Sequence, residues 1–234
     1  NRYKATISMW IKRTHLTQSS GAGQYPRLFQ FQTGGTATAL YFDQDRLKMY
    51  DDNTSASLTT NRVFRDCSAW YHIVVAVDTT QGTDSNRIKL YVNGVQETSF
   101  SDTNYPSQND DTGVNGTYRH FIGGEGGTSG NDSGSFYDGY MTEVHLVDGS
   151  QLLPTSFGEF DDNGVWIPVE NGKGAGGAIT FGTNGFYLQF KETGTSANAS
   201  GMGADTSGNG NHLTPSNLAA LDVVTDTPQN NFCT

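Results

Sequence analysis

The chain has 234 residues, of which 34% are hydrophobic, 12% aromatic and 29 glycine, and its formal charge is −10. That many Trp, Tyr and Phe can build a core, which excludes disorder, and the glycine-rich, charge-poor mixture favours short strands and turns over helices. Acidity without a basic run argues against nucleic acid and against insertion into or onto an anionic membrane, and no stretch approaches the ~20 apolar residues of a membrane helix.

Taken in chain order, YKATISMWIKR (Tyr3–Arg13) comes first, with Tyr3, Ala5, Ile7, Met9 and Ile11 alternating with polar residues. This is the pattern of a half-buried strand, interrupted by Trp10 on the polar face. Asn1 stands almost inside this strand, without an initiating Met or a signal peptide, so the sequence reads as a piece of a longer polypeptide. RLFQFQ, TALYFDQ and RLKMYDD (Arg27 to Asp52) predict a three-strand meander. WYHIVVAVD (Trp70–Asp78) is apolar on both faces, as a central strand covered on both sides should be. Next, Ile88, Leu90 and Val92 alternate with Lys89 and Tyr91, and Asn93-Gly94 supplies the two φ > 0 positions of a type I′ hairpin turn.

A polar loop is expected over roughly Ser101 to Gly116, followed by a strand in YRHFIGG. In DGYMTEVHLVDG, Tyr140, Thr142, Val144 and Leu146 alternate with Met141, Glu143, His145 and Val147. QLLPTSFGEF (Gln151–Phe160) hints at helix, which Pro154 confines to a turn or two. AITFG (Ala178–Gly182) and GFYLQF (Gly185–Phe190) predict two last strands. About a dozen short strands and no long helix predict an all-β fold, a two-sheet antiparallel β-sandwich.

Four segments together carry a family resemblance: ATISMWIKR, CSAWYHIVVAVD, IKLYVNGVQ and YDGYMTEVHLVDG. In this order and spacing the chain resembles the laminin-G-like or concanavalin A-like jelly-roll superfamily. In many laminin-G-like domains a segment similar to GFYLQF…DTSGNGNH opens the domain, whereas here it follows the closing strand. Two organisations stay open. One is a single, circularly permuted jelly roll over residues 1–234, its usual first strand supplied from the C-terminal side. The other is a jelly roll over 1–184 with 185–234 beginning a following module. The stretch VHLVDGSQLLPTSFGEFDDNGVWIPVE, with GTNGFYLQF, DTSGNGNHLTP and DTPQNNFCT, is similar to laminin-G-like modules in virion proteins of bacteriophages, especially marine ones, where they occur in tail fibres and appendages. That resemblance implies a location in the virion. It also implies a glycan or host-surface polysaccharide, or other virion subunits, as partners, although a fold alone does not fix a function.

The superfamily includes glucanases with the pattern Glu-x-Asp-x-x-Glu, and retaining chemistry needs two carboxyls ~5 Å apart. Glu159 and Asp161 match the start of that pattern, but Asn163 and Gly164 stand where the second Glu belongs, so no enzyme is expected and no catalytic residue is assigned. None of His15, His72, His120, His145 or His212 lies in a His-Glu-x-x-His motif, and there is no Gly-x-Ser-x-Gly elbow. Gly172, Gly174 and Gly177 match Gly-x-Gly-x-x-Gly, but they precede an expected strand rather than a helix N-terminus.

In ADTSGNGNHLTP, oxygen donors recur at alternate residues. With Asp205 as position one, Ser207 and Asn209 fall at three and five, Gly210 at six and Asn211 at seven, as in an EF-hand-type loop. Only one donor is charged, and Ser216 rather than Glu stands at position twelve. A structural calcium would need a carboxylate from Asp138 or Glu143; the alternative is an Asx-turn loop that satisfies its own amides. A sugar site, in turn, needs an exposed aromatic ring with polar neighbours. Trp10, Tyr91 and Tyr118 are the candidate platforms, with Tyr105, Asn109 and Asp111 rimming the site, and core packing is the alternative for each ring. Trp70 and Trp166 read as core. Cys67 and Cys233 form one disulfide or stay as two thiols.

Overall fold

A computed structural model describes residues 1–16, 25–33, 36–126, 132–170, 173–215 and 218–230. Its first strands are β1 (Lys4–Arg13), β2 (Arg27–Thr33), β3 (Thr36–Asp43), β4 (Arg46–Asp51), β5 (Ala56–Val63) and β6 (Tyr71–Asp78). They are followed by β7 (Ile88–Val92), β8 (Val95–Gln96), β9 (Phe100–Asn104), β10 (Arg119–Ile122), β11 (Glu125–Gly126) and β12 (Asp132–Gly134). The last are β13 (Gly139–Asp148), β14 (Gly158–Phe160), β15 (Trp166–Pro168) and β16 (Phe186–Leu188). Two six-stranded antiparallel sheets result, ordered β16-β13-β1-β6-β7-β8 and β10-β2-β3-β4-β5-β9, with two-stranded β11-β12 and β14-β15 as accessories. The architecture is the expected β-sandwich.

Between the sheets lies the main core. Ile7, Met9 and Ile11 of β1, with Ile73, Val75 and Val77 of β6, face Phe29, Phe31, Leu40, Phe42, Leu47, Met49 and Leu58 of the second sheet. Each large apolar side chain buried this way contributes roughly 1.5–3 kcal/mol. The meander β2-β3-β4 is present in register, Leu40 opposite Phe29 and Met49. The β7–β8 hairpin turns on Asn93 (φ 48°) and Gly94 (φ 79°), as a type I′ turn requires. A Cβ on Gly94 would also fall 2.5 Å from the Trp166 ring, so this glycine serves both the turn and the packing.

A second apolar layer lies on the outer face of the first sheet. Val74, Ala76, Tyr91, Val147 and Tyr187 are covered by Phe157 and Phe181, while Trp10, Trp70 and Trp166 form a cluster of their own. This explains why β6 is apolar on both faces, as expected.

Three local expectations are corrected. Phe100–Asn104, within and beside the expected polar loop, is an edge strand; its exposed outer side needs no apolar residue, so composition hides it. Ala178–Gly182 is not a strand: Phe181 O accepts from Asp148 N–H, and the Phe181 and Ile179 side chains pack in the second apolar layer. Finally, β13 does not alternate continuously, because a bulge separates the pairs Ser8–His145 and Trp10–Thr142 and leaves Glu143 at φ 51°. The hint of helix after Gln151 is a single 3-10 turn, Pro154–Ser156. β16 pairs with β13 and buries Phe186 and Leu188 in the main core, so these residues complete the first sheet.

Candidate functional site

The outer face of the second sheet is built by simple alternation. In β4 the residues Leu47, Met49 and Asp51 are buried, which leaves Arg46, Lys48 and Tyr50 pointing outward. Strand pairing lines these up across the sheet. One row runs Arg27, Tyr41, Lys48, Thr59, Asp102, and the next runs Phe121, Gln30, Ala39, Tyr50, Ser57, Asn104. Ala39 is the small residue between Gln30 and Tyr50, so the second row is lowest at its centre. At one edge β11 rises beside β2, with Glu125 3.4 Å from Arg27, and Gly126 lies against the Phe121 ring so closely that a Cβ there would overlap it.

The groups on this face are charged and tuned. Arg27 stacks over Tyr41 at 4.6 Å and Lys48 lies 5.9 Å from the Tyr50 ring. Burial pushes the Tyr41 hydroxyl up to about 12 despite the nearby Arg27 guanidinium. The Tyr50 hydroxyl donates to Asp52, which holds its proton above the usual tyrosine range. Arg27, Arg46, Lys48 and Arg119 gather on one face of a chain with only 14 basic residues. Arg27 pairs with Glu125, and Lys48 lies 4.0 Å from Asp102. Arg46 and Arg119 carry no ion pair among the described residues. Gln30, only 1% exposed, donates to Gln32 at 2.7 Å, and its Oε1 has no partner among the described residues.

The residues expected to bind sugar divide in two. Trp10 and Tyr91 are 1% and 6% exposed, under the second apolar layer, so neither offers a ring face to a ligand. They sit on the outward phase of their strands, but Phe157, Trp166 and Phe181 fold back over that face. Tyr118, Tyr105, Asn109 and Asp111 belong instead to the connection that carries the chain from β9 at one edge of the second sheet to β10 at the other. Tyr118 is half-buried, accepts from Asn53 Nδ2 at 3.1 Å and has Arg2 at 5.8 Å from its ring; Arg2 also reaches Asp111 at 3.4 Å. Tyr105 is half-buried against the main core, and Asn109 is exposed at φ 63°. Tyr105 and Tyr118 pack against the main core, Asn109 N–H donates to the Thr79 carbonyl and Asp111 meets Arg2. Sequence reasoning missed the outward-facing Gln32, Tyr41, Lys48 and Tyr50 of β2 to β4. The missed signal was the alternation of the meander itself, which assigns them to the polar phase.

On the sealed face, Ser8 and His72 form what looks like a nucleophile–base pair, with Oγ and Nε2 2.8 Å apart. Trp166 Nε1–H donates to His72 Nδ1 at 2.9 Å, so Nδ1 is the acceptor and the neutral ring carries its proton on Nε2, donated to Ser8. Burial, and then the neighbouring His145, hold His72 down at about 3. This dyad is structural. Glu159 is exposed on β14, and the Asp161 carboxylate is held below its usual range by the Val165 and Asn163 amides of the β14–β15 turn. Asp162, Asn163 and Gly164 follow in the turn, so the second Glu of the glucanase pattern is absent there.

The Asp205 loop departs from the calcium expectation. Asp205 is 5% exposed, and its carboxylate already accepts from Tyr187 N–H, Ser207 N–H, Ser207 Oγ and Asn211 N–H, all at 2.8–2.9 Å. Burial works against its charge, but those donors outweigh it and hold the carboxyl below the usual range. Asn209 and Asn211 spend their side-chain amides on the Gly182 and Gly185 carbonyls. Asp138 accepts from Thr14 at 2.6 Å, and Glu143 from the Tyr187 hydroxyl, so neither brings a free carboxylate to the loop. The donor set does not fit a calcium ion, and among the described residues no group of three or more His, Cys, Asp or Glu is placed to hold a metal. The loop is the self-satisfied Asx turn, and it ties β16 to the segment after it. Ser216 and Cys233 lie outside the described residues, and Cys67 is half-buried in the β5–β6 connection.

A family model described as the concanavalin A-like lectin/glucanases superfamily, Laminin_G_3, matches residues 1–151, which hold β1 to β13. The chain belongs to this superfamily. Domain 4 of AbnA, a GH43 extracellular arabinanase from Geobacillus stearothermophilus solved with arabinotriose, is similar over 64% of this chain and 63% of that one, at 16% identity and a TM-score of 0.40. The LG1-3 region of the laminin α2 chain is similar over 74% and 32%, at 14% identity and 0.37. The botulinum neurotoxin type G receptor binding domain is similar over 64% and 35%, at 12% identity and 0.35. The aligned part is thus less than two thirds of each of those chains. No curated protein matches the sequence. The superfamily match ends before β14, so the cover on the first sheet and the edge strand β16 lie outside the matched residues.

Proposed function

We propose that the chain is a non-catalytic glycan-binding module and that the outer face of its second sheet is the binding surface. The observation that supports this best is the cluster of half-exposed Gln32, Tyr41, Lys48 and Tyr50 with exposed Asp102 and Asn104 on the outward phase of the second sheet. Rings there stack on the CH face of a sugar, and the amides and carboxylates hydrogen-bond its hydroxyls. Four cations on the face favour sugars bearing carboxylate or sulfate. The expected rim residues Tyr118, Tyr105, Asn109 and Asp111 lie on the connection from β9 to β10. No enzyme chemistry is assigned, since Glu159 and Asp161 lack the second Glu of the glucanase pattern.

The sequence resemblance to modules of bacteriophage tail fibres and appendages supports a place on a virion surface, with a host-surface polysaccharide as the target. The alternative is a purely structural module that contacts other virion subunits. A glycan array separates them. Acidic polysaccharides captured by the native protein and lost in a folded Tyr41→Ala/Tyr50→Ala variant are the expected result; a blank array favours the structural role. Release of reducing ends from any captured polysaccharide would overturn the non-catalytic assignment.

A further inference from the structure

A second concavity lies away from the open sheet face. Where β13 begins and β16 ends, residues Leu218 to Thr227 run alongside and enclose a cleft of about 350 Å³. This is at the small end of the ~300–1,000 Å³ range of ligand pockets. Its lining is of two kinds. Tyr140, Phe190, Met141 and Met202 supply ring and thioether surface, and Tyr140 keeps 38% exposure. Gln189 and Lys191 supply polar groups at the wall, Gln189 being positioned by its Nε2–H donation to the Tyr187 hydroxyl at 3.1 Å.

Charge around the cleft is balanced. Lys191 and Lys12 stand against Asp222 and Asp226, and Lys12 Nζ lies 2.7 Å from Asp226. A balanced rim holds neither an anion nor a cation by field alone, in contrast to the cation-rich sheet face. Ring surface with polar groups beside it suits a sugar ring, and the two flexible methionines offer adaptable, polarisable surface to a methyl group.

We propose that this cleft is a second carbohydrate site, for one uncharged sugar residue that carries a methyl group, a 6-deoxyhexose or an N-acetylhexosamine. The volume accommodates a single ring rather than a chain, so the residue recognised is a terminal one. The site stands independently of the sheet face, and the failure of either leaves the other in place.

Calorimetric titration of the native chain with the methyl glycosides of fucose, rhamnose, N-acetylglucosamine and glucose tests it. At least one methyl-bearing sugar is expected to bind about tenfold more tightly than methyl glucoside. Tyr140→Ala, whose ring is already partly in solvent, and Lys191→Ala are each expected to weaken that binding about tenfold, while Tyr41→Ala leaves it unchanged. The proposal is overturned if no sugar binds below about 10 mM, if methyl glucoside binds as well as the others, or if both cleft variants bind normally. Loss of binding in Tyr41→Ala would overturn it too, by placing the sugar on the sheet face.

Discussion

On the first sheet the outward positions of β1, β6 and β7 hold Ser8, Trp10, His72, Val74 and Tyr91, and Phe157, Trp166 and Phe181 cover that face. On the second sheet the same phase holds Gln30, Tyr41, Lys48 and Tyr50, which stay half-exposed apart from Gln30. The difference shows in the hydrogen bonds. Under the cover, Ser8, His72 and Trp166 satisfy one another in a fixed chain, and His145 Nδ1 meets the Glu143 carbonyl at 2.8 Å. Trp10 Nε1 has no hydrogen-bond partner among the described residues on that side. On the open face the buried Gln30 Oε1 and Arg27 Nε lack partners among the described residues, and cations outnumber the carboxylates that pair with them. One outer face pairs most of its polar groups beneath a cover; the other leaves Tyr41, Lys48 and Tyr50 half-exposed.

Breaking the sealed side should produce the largest effect. Trp166→Ala removes a buried indole and leaves His72 Nδ1 without its donor, and a loss of about 3–5 kcal/mol is expected in urea titration. Asp205→Ala should cost about 1–3 kcal/mol, because the Tyr187, Ser207 and Asn211 amides lose their acceptor. The native melting temperature should be the same with and without EGTA; a clear drop on chelation would contradict the account of that loop.

Acid sharpens the same contrast. His72 and His145 are both held down at about 3 by burial, while in the unfolded chain they titrate near ~6.5. The unfolded state therefore binds protons first, so their contribution is whole above ~6.5 and is lost as pH falls from there toward 3. Stability should drop by on the order of 1.4 kcal/mol per histidine per pH unit below ~6.5, and a His145→Gln variant should show a shallower slope. Glu143, raised by burial, acts with the opposite sign, being stabilising when protonated and less so as pH rises. The smallest stability change belongs to the open face. Tyr41→Ala and Tyr50→Ala should each shift stability by about 1 kcal/mol while abolishing glycan capture; a large loss of stability would mean those rings belong to the core after all.

Much of this was legible in the sequence. The meander, the Asn93-Gly94 hairpin and the doubly apolar β6 follow from alternation and turn chemistry, which are local. Trp10 and Tyr91 were misplaced because a strand reveals which residues share a face but not what lies over it. The cover comes from Phe157, Trp166 and Phe181, far along the chain. Ala178–Gly182 has a strand's composition but meets the first sheet through the backbone bond from Asp148 N–H to the Phe181 carbonyl and through packing of the Phe181 ring. The Asp205 loop shows its oxygens in sequence, while the amides that consume them are set by the backbone turn and by Tyr187 across the bridge to β16.

The position of β1 carries a consequence for how the molecule assembles. Ala5 pairs with Val77 on one side and Asp148 on the other, whereas β2, β3 and β4 each pair with the next strand in sequence. Long-range pairing is slow to form, so the meander can close early while β1 waits for β6 and then for β13. Until β13 arrives, a central strand with an apolar inner face has one bare edge, which is an arrangement prone to joining another chain. Self-association during refolding should therefore be governed by how quickly residues 139–148 reach β1.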